Sequence, residues 1–366
     1  MDFEQAFTGK GAPAKQPYLP QAQPKKHSKE DEDLAELLDH CAPKIIVFGT
    51  GGSGSNTINR MKDIGIAGTT LIAANTDAQH LLKVDADRKL VLGRKKTRGL
   101  GAGSNPVVGE AAAEETYEEI KQLVAGTDLV FVTCGMGGGT GTGSAHVIAR
   151  AAKEAGALTI GVVTMPFSSE GMKRKQNAVT GVEKLKQHAD TTIVIPNDKL
   201  LYYVPDLPLN AAFKAADMVL ANAVKGITEL VTKPGLVNLD FADLRTVLSE
   251  AGTAVIGVGE IEGTETADRV SQAAVKAMTS PLLEINTSTA DRALINITGG
   301  PDLTLGEAEA AVKTIADKIA SDAHIIWGAN VDETIKSRGV RVLAVLAGIT
   351  ETDEMGQEEV LDLEFV

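Results

Sequence analysis

Residues 135–143 of the chain read Gly-Met-Gly-Gly-Gly-Thr-Gly-Thr-Gly, and this glycine-rich segment is the strongest local indication of the architecture. It follows an apolar run at 128–134 that predicts a buried strand of a parallel sheet. It precedes residues 144–150, which predict the first turns of a helix with Ser144 near its N-cap. Six glycines in nine residues are too costly in folding entropy for a plain turn. The arrangement instead predicts an anion site, because backbone N–H groups and the helix dipole face a ligand there.

Two more glycine loops occur in the chain. The segment 50–56, Thr-Gly-Gly-Ser-Gly-Ser-Asn, follows a predicted strand at 44–49 and leads into a predicted helix at 57–63. The segment 96–106 is the other loop, and it ends at Pro106, a residue suited to the start of a helix. We expect the three loops to build one site, because loops at the carboxyl edge of a parallel sheet converge on a ligand. A plain surface loop is the alternative for 96–106.

The segment 50–56 by itself is also compatible with a dinucleotide-binding fold. Asp77 lies about twenty residues beyond it, where such folds place an acidic residue on the ribose. A nicotinamide-dependent dehydrogenase is therefore one alternative. The lysine-containing P-loop signature is absent, since Gly9 and Lys10 are followed by Gly11. Triphosphate binding would then depend on backbone amides and a metal ion.

Composition restricts the class of protein. The 366 residues carry a formal charge of −13, which disfavours nucleic-acid binding because phosphate contacts need clustered Lys and Arg. The two cysteines, Cys41 and Cys134, fit neither a disulfide framework nor a zinc pattern. No apolar run is long enough to span a bilayer. We expect a cytoplasmic protein without direct membrane insertion.

Residues 208–231 predict one long helix, and an acidic residue interrupts its apolar face. Asp217 stands one turn after Phe213, and a core-facing carboxylate is expensive unless it is paired. Asp217 therefore either binds a ligand or lies solvated at the edge of the apolar stripe. The stripe that recurs at helical spacing is Leu209, Phe213, Ala216, Leu220, Val224, Ile227 and Leu230.

Two further polar groups have a structural and a functional interpretation. Glu170 and Arg174 are four residues apart, and spacing alone favours a surface ion pair. In Asn-Leu-Asp-Phe-Ala-Asp, residues 238–243, Asn238 can serve as the N-cap of a helix. Asp240 and Asp243 would then share a face of the first turn, where acidic residues are ordinary partners of the helix dipole.

The stretch 131–145 resembles, residue for residue, the glycine signature of the tubulin/FtsZ family of GTPases, and it is closer to the FtsZ branch. Segments 72–79, 96–106 and 238–243 resemble the same branch, and the resemblance covers roughly residues 44–349. It implies an α/β fold with a Rossmann-like GTPase domain on a parallel sheet, a long central helix and a smaller second α/β domain. Ser53 and Ser55 depart from the pattern, where glycine and asparagine are common, yet both can donate a hydrogen bond. The overall arrangement looks archaeal.

The resemblance also implies site residues. Asp217 would select guanine, because its carboxylate accepts from N1–H and the 2-amino group, and adenine offers neither donor there. Phe213 would stack on the ring, and Asn56 would reach its other edge. Asp240 and Asp243 would be catalytic, acting on the nucleotide of the next subunit. The residues implied in GTP or GDP binding are Gly52, Ser53, Gly54, Ser55, Asn56, Gly139, Thr140, Gly141, Glu170, Arg174, Phe213 and Asp217, and Mg²⁺ would lie on the phosphates without a protein ligand set.

The implied domains are a disordered arm at 1–30, a GTP-binding domain at 31–207, a connecting helix at 208–232, a C-terminal α/β domain at 233–349 and an acidic tail at 350–366. The family role implied is head-to-tail polymerisation, GTP hydrolysis at the subunit interface and a ring at the mid-cell division site. Partners would be further copies of the chain and a membrane-tethering division protein. The tail would serve either as a docking peptide or as a solubilising segment. A cell-shape protein of the same superfamily is the second alternative.

Overall fold

The computed structural model describes residues 43–66, 68–200, 209–233, 235–237, 239–262, 268–280, 287–332, 335 and 339–349. The predicted arm at 1–30, the predicted tail at 350–366 and Asn238 lie outside the described residues. The side chains of residues 209 and 210 also lie outside them.

Ten strands form one sheet in the described part of the chain. They are β1 Ile45–Thr50, β2 Thr69–Asn75, β3 Arg88–Val91, β4 Leu129–Gly135, β5 Leu158–Met165, β6 Thr191–Pro196, β7 Gly252–Ile261, β8 Arg292–Gly299, β9 His324–Val331 and β10 Val340–Ala347. Their spatial order is β3-β2-β1-β4-β5-β6-β7-β10-β8-β9. Neighbours run parallel except for β10, which is antiparallel to both β7 and β8. The predicted mostly parallel α/β fold is confirmed.

Helices connect the strands. The α-helices are α1 Gly51–Asp63, α2 Ala78–Lys83, α3 Arg94–Thr97, α4 Pro106–Glu115, α5 Tyr117–Val124, α6 Thr140–Glu154, α7 Met172–Lys186, α8 Asn197–Leu200, α9 Leu209–Thr232, α10 Phe241–Leu248, α11 Arg269–Met278 and α12 Leu305–Ala316. Short 3₁₀ helices cover Ser168–Glu170 and Thr287–Thr289. The long helix predicted at 208–231 is α9.

Alternating strand residues place one core on each face of the parallel half of the sheet. Val47 packs in a cluster with Leu220 and Val224 of α9. Phe48, the next residue of β1, packs on the other face with Ile148 of α6. A third cluster covers β7, β8 and β10 with α11 and α12.

Two helices begin earlier than the sequence predicts. The helix predicted at 57–63 begins at Gly51, and the one expected to be capped near Ser144 begins at Thr140. Ser144 is fully buried inside α6, where its Oγ donates to Thr140 O at 2.7 Å. The boundary at 57 was wrong because the glycine segment 50–56 was assigned to a loop, and the boundary near Ser144 was wrong because a capping side chain was expected; both helices begin within their glycine segments.

The strand order fixes where a ligand can bind. From β1, the chain passes to β2 on one side, whereas β4 lies on the other side. At such a reversal the connections leave in opposite directions and open a crevice at the carboxyl ends of the two central strands. The crevice here lies between the ends of β1 and β4, where the glycine segments 51–54 and 135–143 begin.

Candidate functional site

Two helices present free backbone N–H groups at this crevice. The N-cap residues of α1 and α6 are Thr50 and Gly139, and in both cases no described side chain caps the helix. By contrast, Asn105 caps α4 by accepting from the Val107 N–H at 3.0 Å. Uncapped N-termini leave donors unsatisfied and carry the positive end of the helix dipole. The pair of helices therefore suits an anion.

Glycine permits the loops to approach one another at backbone distance. Gly51 has φ of 74°, and a Cβ there would lie 2.7 Å from the Gly141 nitrogen. A Cβ on Gly139 would lie 2.8 Å from the Asn105 nitrogen. These contacts show that the three glycine segments meet at one place, and the ligand that they were predicted to share stays a prediction.

The glycines of the site fall into two groups. A Cβ on Gly54 would lie 2.5 Å from Thr133 O, and one on Gly141 would lie 3.0 Å from Gly135 O, so these residues pack against the protein. A Cβ on Gly52 or Gly138 would meet nothing within 4 Å among the described atoms. The second pair therefore borders open space, where a ligand has access to the backbone.

Hydroxyl groups tie the loops beneath this open space. Thr140 Oγ1 lies 2.6 Å from Thr76 Oγ1, and the Ser144 hydroxyl pairs with that of Thr50. The Thr142 hydroxyl accepts from the Gly137 N–H at 2.9 Å. The glycine signature is therefore held rigidly, which favours a preorganised site.

Glu170 and Arg174 form the ion pair that their spacing predicts. Glu170 also accepts from the Phe167 N–H at 3.0 Å. A Cβ on Gly137 would lie 2.8 Å from Arg174 O, so the start of α7 packs directly on the glycine signature. The structure thus places this pair beside the site, and a ligand role for it stays a prediction.

Asp217 is buried beside α1, with 7% of its surface exposed. Its Oδ1 accepts from the Ser53 hydroxyl at 2.9 Å and lies 3.4 Å from Thr57 Oγ1. Burial raises the pKa of this carboxyl to about 6, although both hydroxyls and the charge of Arg60 act to lower it. A buried carboxylate supported by hydroxyl donors and a more distant cation is suited to accept hydrogen bonds from a ligand.

The two serines that depart from the family pattern do not act alike. The hydroxyl of Ser53 is engaged by Asp217, whereas Ser55 is fully buried. Ser55 Oγ has no hydrogen-bond partner among the residues for which the structure gives positions. The expected donation of both hydroxyls to a ligand is therefore not what this geometry favours.

Phe213 is the one described member of the predicted core stripe that is not buried. It is 38% exposed and meets Phe167 edge-on, with ring centroids 5.3 Å apart. The core prediction was wrong for Phe213, because an apolar residue at helical spacing lines a cleft as readily as a core. An exposed ring one turn before Asp217 suits the predicted stacking role.

Sequence reasoning missed His80. Its Nε2 lies 3.1 Å from Asn56 Oδ1, and its Nδ1 lies 3.1 Å from Asn75 Nδ2. His80 therefore orients Asn56, the residue predicted to reach the base. The only signal in the sequence was a cluster of polar residues at the end of β2, and their spacing matches no known pattern that would predict a contact between His80 and Asn56.

Asp77 has a structural role in this fold. Its Oδ1 accepts from the backbone N–H groups of Gln79 and His80, at 2.9 and 3.0 Å, and so caps α2. Helix capping is a sufficient reason for an acidic residue at this position, and no hydrogen bond to a ribose is needed to explain it. The observation removes the main support for the dinucleotide alternative.

Asp240 and Asp243 form a reciprocal capping box at the start of α10. Asp240 Oδ1 accepts from the Asp243 N–H at 2.8 Å, and Asp243 Oδ2 faces the Asp240 N–H at 3.4 Å. The N-cap is therefore Asp240, and the prediction of Asn238 at that position was wrong. Both carboxylates are exposed, and the pair fixes the helix start without an additional cap.

The structure does not bring this acidic pair to the chain's own glycine loops. On the same helix, Arg245 donates to Gly156 O at 3.0 Å, and Gly156 precedes the amino end of β5. The glycine signature lies at the other end, where Gly135 pairs with Thr164. Six residues of extended strand, about 20 Å at 3.3 Å per residue, separate Leu158 at the amino end of β5 from Thr164. The two groups occupy opposite edges of the sheet.

These features together define a class of protein. A parallel sheet with two uncapped helix N-termini at its reversal point, open glycine amides and a buried carboxylate beside them describes a nucleotide-binding α/β protein. The family model described as Tubulin/FtsZ family, GTPase domain, matches residues 44–205, and that described as FtsZ family, C-terminal domain, matches residues 252–350. The chain belongs to the FtsZ family of tubulin-like GTPases, which implies GTP or GDP as its ligand.

Archaeal proteins are among the most similar relatives. Cell division protein FtsZ 1 of Archaeoglobus fulgidus is 52% identical over 328 residues, covering 90% of this chain and 88% of that protein. Cell division protein FtsZ of Methanothermobacter thermautotrophicus is 53% identical, with 88% and 84% covered. A solved structure described as an empty FtsZ dimer of M. jannaschii is 51% identical, with a TM-score of 0.83 over 88% of this chain and 93% of that one.

The comparisons confirm the resemblance and the two-part architecture implied by it. The site residues and the domain boundaries stay predictions. Among the described helices, none combines the length and the apolar character that a membrane span requires.

Proposed function

We propose that this chain binds GTP in the crevice at the carboxyl edge of the sheet and hydrolyses it at a contact between two copies. One copy would supply the glycine-loop amides, Thr140, Glu170 and Arg174, with Asp217 and Phe213 at the base. The next would supply Asp240 and Asp243. Such a contact joins different surfaces and does not close on itself, so it propagates into a filament.

The observation that carries this proposal is the separation of Asp240 and Asp243 from the glycine loops. Both carboxylates are exposed, and their helix contacts the chain at Gly156, before the amino end of β5, whereas the glycine signature lies at the carboxyl end of that strand. Phosphoryl transfer needs a positioned water and charge stabilisation close to the terminal phosphate. An acidic pair can supply the first of these only from a neighbouring copy.

The donor set of the crevice fits a nucleotide triphosphate. The free amides of α1 and α6 and the open backbone at Gly52 and Gly138 match the oxygens of a phosphate chain. The described residues include no group of three or more His, Cys, Asp or Glu side chains placed to hold a metal ion. Mg²⁺ would therefore be held mainly by phosphate oxygens, where it neutralises charge.

The division role is supported by what the relatives are called. The proteins of A. fulgidus and M. thermautotrophicus are named cell division proteins, and the M. jannaschii structure is described as a dimer. We extend that role to this chain, as a ring-forming filament in the cytoplasm at mid-cell that a separate division protein tethers to the membrane. Imaging a tagged copy tests the location, and a distribution without a mid-cell band favours the cell-shape alternative.

Mixing two inactive variants tests the shared site directly. Asp243→Asn keeps a capping acceptor but loses the charge, and it leaves the nucleotide crevice intact. Asp217→Ala weakens GTP binding and leaves the acidic pair intact. We expect each to release phosphate slowly alone and a mixture to recover activity, because the nucleotide of the first meets the aspartates of the second. A mixture no more active than the sum of its parts contradicts the proposal.

The activity of the unmodified chain should rise steeply with protein concentration, because only contacting copies hydrolyse GTP. Glu183→Gln removes an exposed carboxylate on α7 that has no role in the proposed site, and it serves as the matched control. Specific activity that stays constant on dilution to single molecules would show a self-sufficient GTPase.

A further inference from the structure

Ser53 links α1 to the buried carboxylate of Asp217 in α9. Its hydroxyl donates to Asp217 Oδ1 at 2.9 Å across a separation of 164 residues. Thr57 lies one turn further along α1, and its hydroxyl donates to Ser53 O at 3.0 Å while approaching the same Asp217 oxygen at 3.4 Å. One turn of α1 therefore holds the carboxylate.

Most of the acceptor capacity of the carboxylate stays unused, because Ser53 donates to Oδ1 while the single proton of the Thr57 hydroxyl is already donated to Ser53 O. Both of these hydroxyls face Oδ1, and no bond to Oδ2 is found among the described residues. A carboxylate accepts about four hydrogen bonds, so Oδ2 and one lone pair of Oδ1 stay available. Two adjacent donors on one edge of a ligand can bond to Oδ1 and Oδ2 at the same time only if the carboxylate plane is held in line with that edge.

We propose that Ser53 is a positioning residue for base recognition, whose hydroxyl fixes the Asp217 carboxylate for the N1–H and 2-amino donors of guanine. This inference rests on the proposed function, in which Asp217 reads the base. Without the hydroxyl, the side chain of Asp217 can rotate about χ2, and bidentate acceptance loses its preferred orientation.

The location of Ser53 on the helix connects base recognition to phosphate binding. Ser53 is the third residue of α1, whose uncapped N-terminus would face the phosphates in the proposed site. Its side chain also borders the glycine signature, since a Cβ on Gly135 would lie 2.9 Å from Ser53 Cβ. A shift of this turn would therefore move the phosphate donors and the base acceptor together.

Competition between GTP and ITP tests the proposal, because hypoxanthine keeps N1–H and lacks the 2-amino group. We would measure both affinities on dilute, nucleotide-free protein for the unmodified chain, Ser53→Ala and Ser53→Thr. We expect Ser53→Ala to lower the ratio of GTP to ITP affinity by about three- to tenfold, the range of one ordinary net hydrogen bond, because the variant loosens the carboxylate without removing it. Ser53→Thr restores the hydroxyl and should recover most of the ratio.

The control is Thr314→Val, which removes a hydroxyl that bonds within α12. Thermal unfolding checks that each variant is folded, and Ser53→Gly replaces Ser53→Ala if the latter is not. An unchanged ratio in a folded variant, or an equal loss of GTP and ITP, overturns the positioning role. If the unmodified chain itself does not prefer GTP to ATP, the proposed function fails instead.

Discussion

Replacement of the Asp217 carboxylate should weaken GTP binding while it stabilises the nucleotide-free protein. Burial raises the pKa of its carboxyl from an ordinary value of 3.8 to about 6. Because the folded state binds the proton more tightly than the unfolded chain, stability is present at low pH and is lost as pH rises through this interval. Each pKa unit corresponds to about 1.4 kcal/mol, so at pH 7 the ionised group costs the empty protein about 3 kcal/mol.

Replacing Asp217 by asparagine removes this cost while keeping an oxygen that accepts from Ser53. We expect Asp217→Asn to stabilise the nucleotide-free protein at pH 7 by about 1–3 kcal/mol, the upper limit being reduced because a buried amide also needs partners. At pH 5 the difference should fall to about half, because most of the carboxyl is then protonated in the folded state.

Urea unfolding of nucleotide-free protein at the two pH values measures this difference. Glu183→Gln is the control, because it neutralises an exposed carboxylate and should change stability by less than about 0.5 kcal/mol. Saturating GTP should reverse the order, since a ligand that binds only the folded state stabilises the unmodified chain more than a weakly binding variant. If Asp217→Asn destabilises the empty protein at pH 7, or if its effect is the same at pH 5, ionisation of the buried carboxyl does not lower the stability of the folded state.

Two further predictions concern packing and charge. Gly143→Ala should destabilise the chain by about 3 kcal/mol or more, because the new Cβ would lie 2.1 Å from Pro106 O. Its control is Gly306→Ala, at an exposed helix position with open space around it, which should be neutral or stabilising by up to about 1 kcal/mol. Arg269→Met should lower the free energy of unfolding by about 1–3 kcal/mol, because the buried guanidinium bonds to Asp302 and Glu307 at 2.7 and 2.8 Å. The control is Arg341→Met, whose ion pair with Glu260 is exposed and should contribute little. A comparable loss of stability in both variants would show that burial does not determine what these ion pairs contribute. Urea unfolding at pH 7 measures all four variants.

The strands predicted at 44–49 and 128–134, which are β1 and β4, and the meeting of the three glycine segments could be predicted because apolar runs and glycine spacing are local signals. The starts of α1 and α6 could not, since an uncapped helix has no capping residue to recognise. The position of Phe213 was also beyond the pattern, because helical spacing does not distinguish a cleft from a core.

The candidate site was predictable residue by residue only through family resemblance. Nothing local to Ser53 indicates that it meets Asp217, which is 164 residues away in the chain. Similarly, His80 orients Asn56 through a contact that depends on how β2 and α1 pack. Asp240 was expected on the face of a helix and instead begins it, because its carboxylate and that of Asp243 cap each other.

The opposite placement of the glycine loops and the acidic pair gives the molecule two unlike ends. In a row of copies joined as proposed, the terminal molecule at one end would hold a nucleotide with no aspartates over it. The molecule at the other end would present aspartates to solvent. A row of n copies would then contain n − 1 complete catalytic centres. Only at one terminus could fresh nucleotide enter without the breaking of a contact between copies.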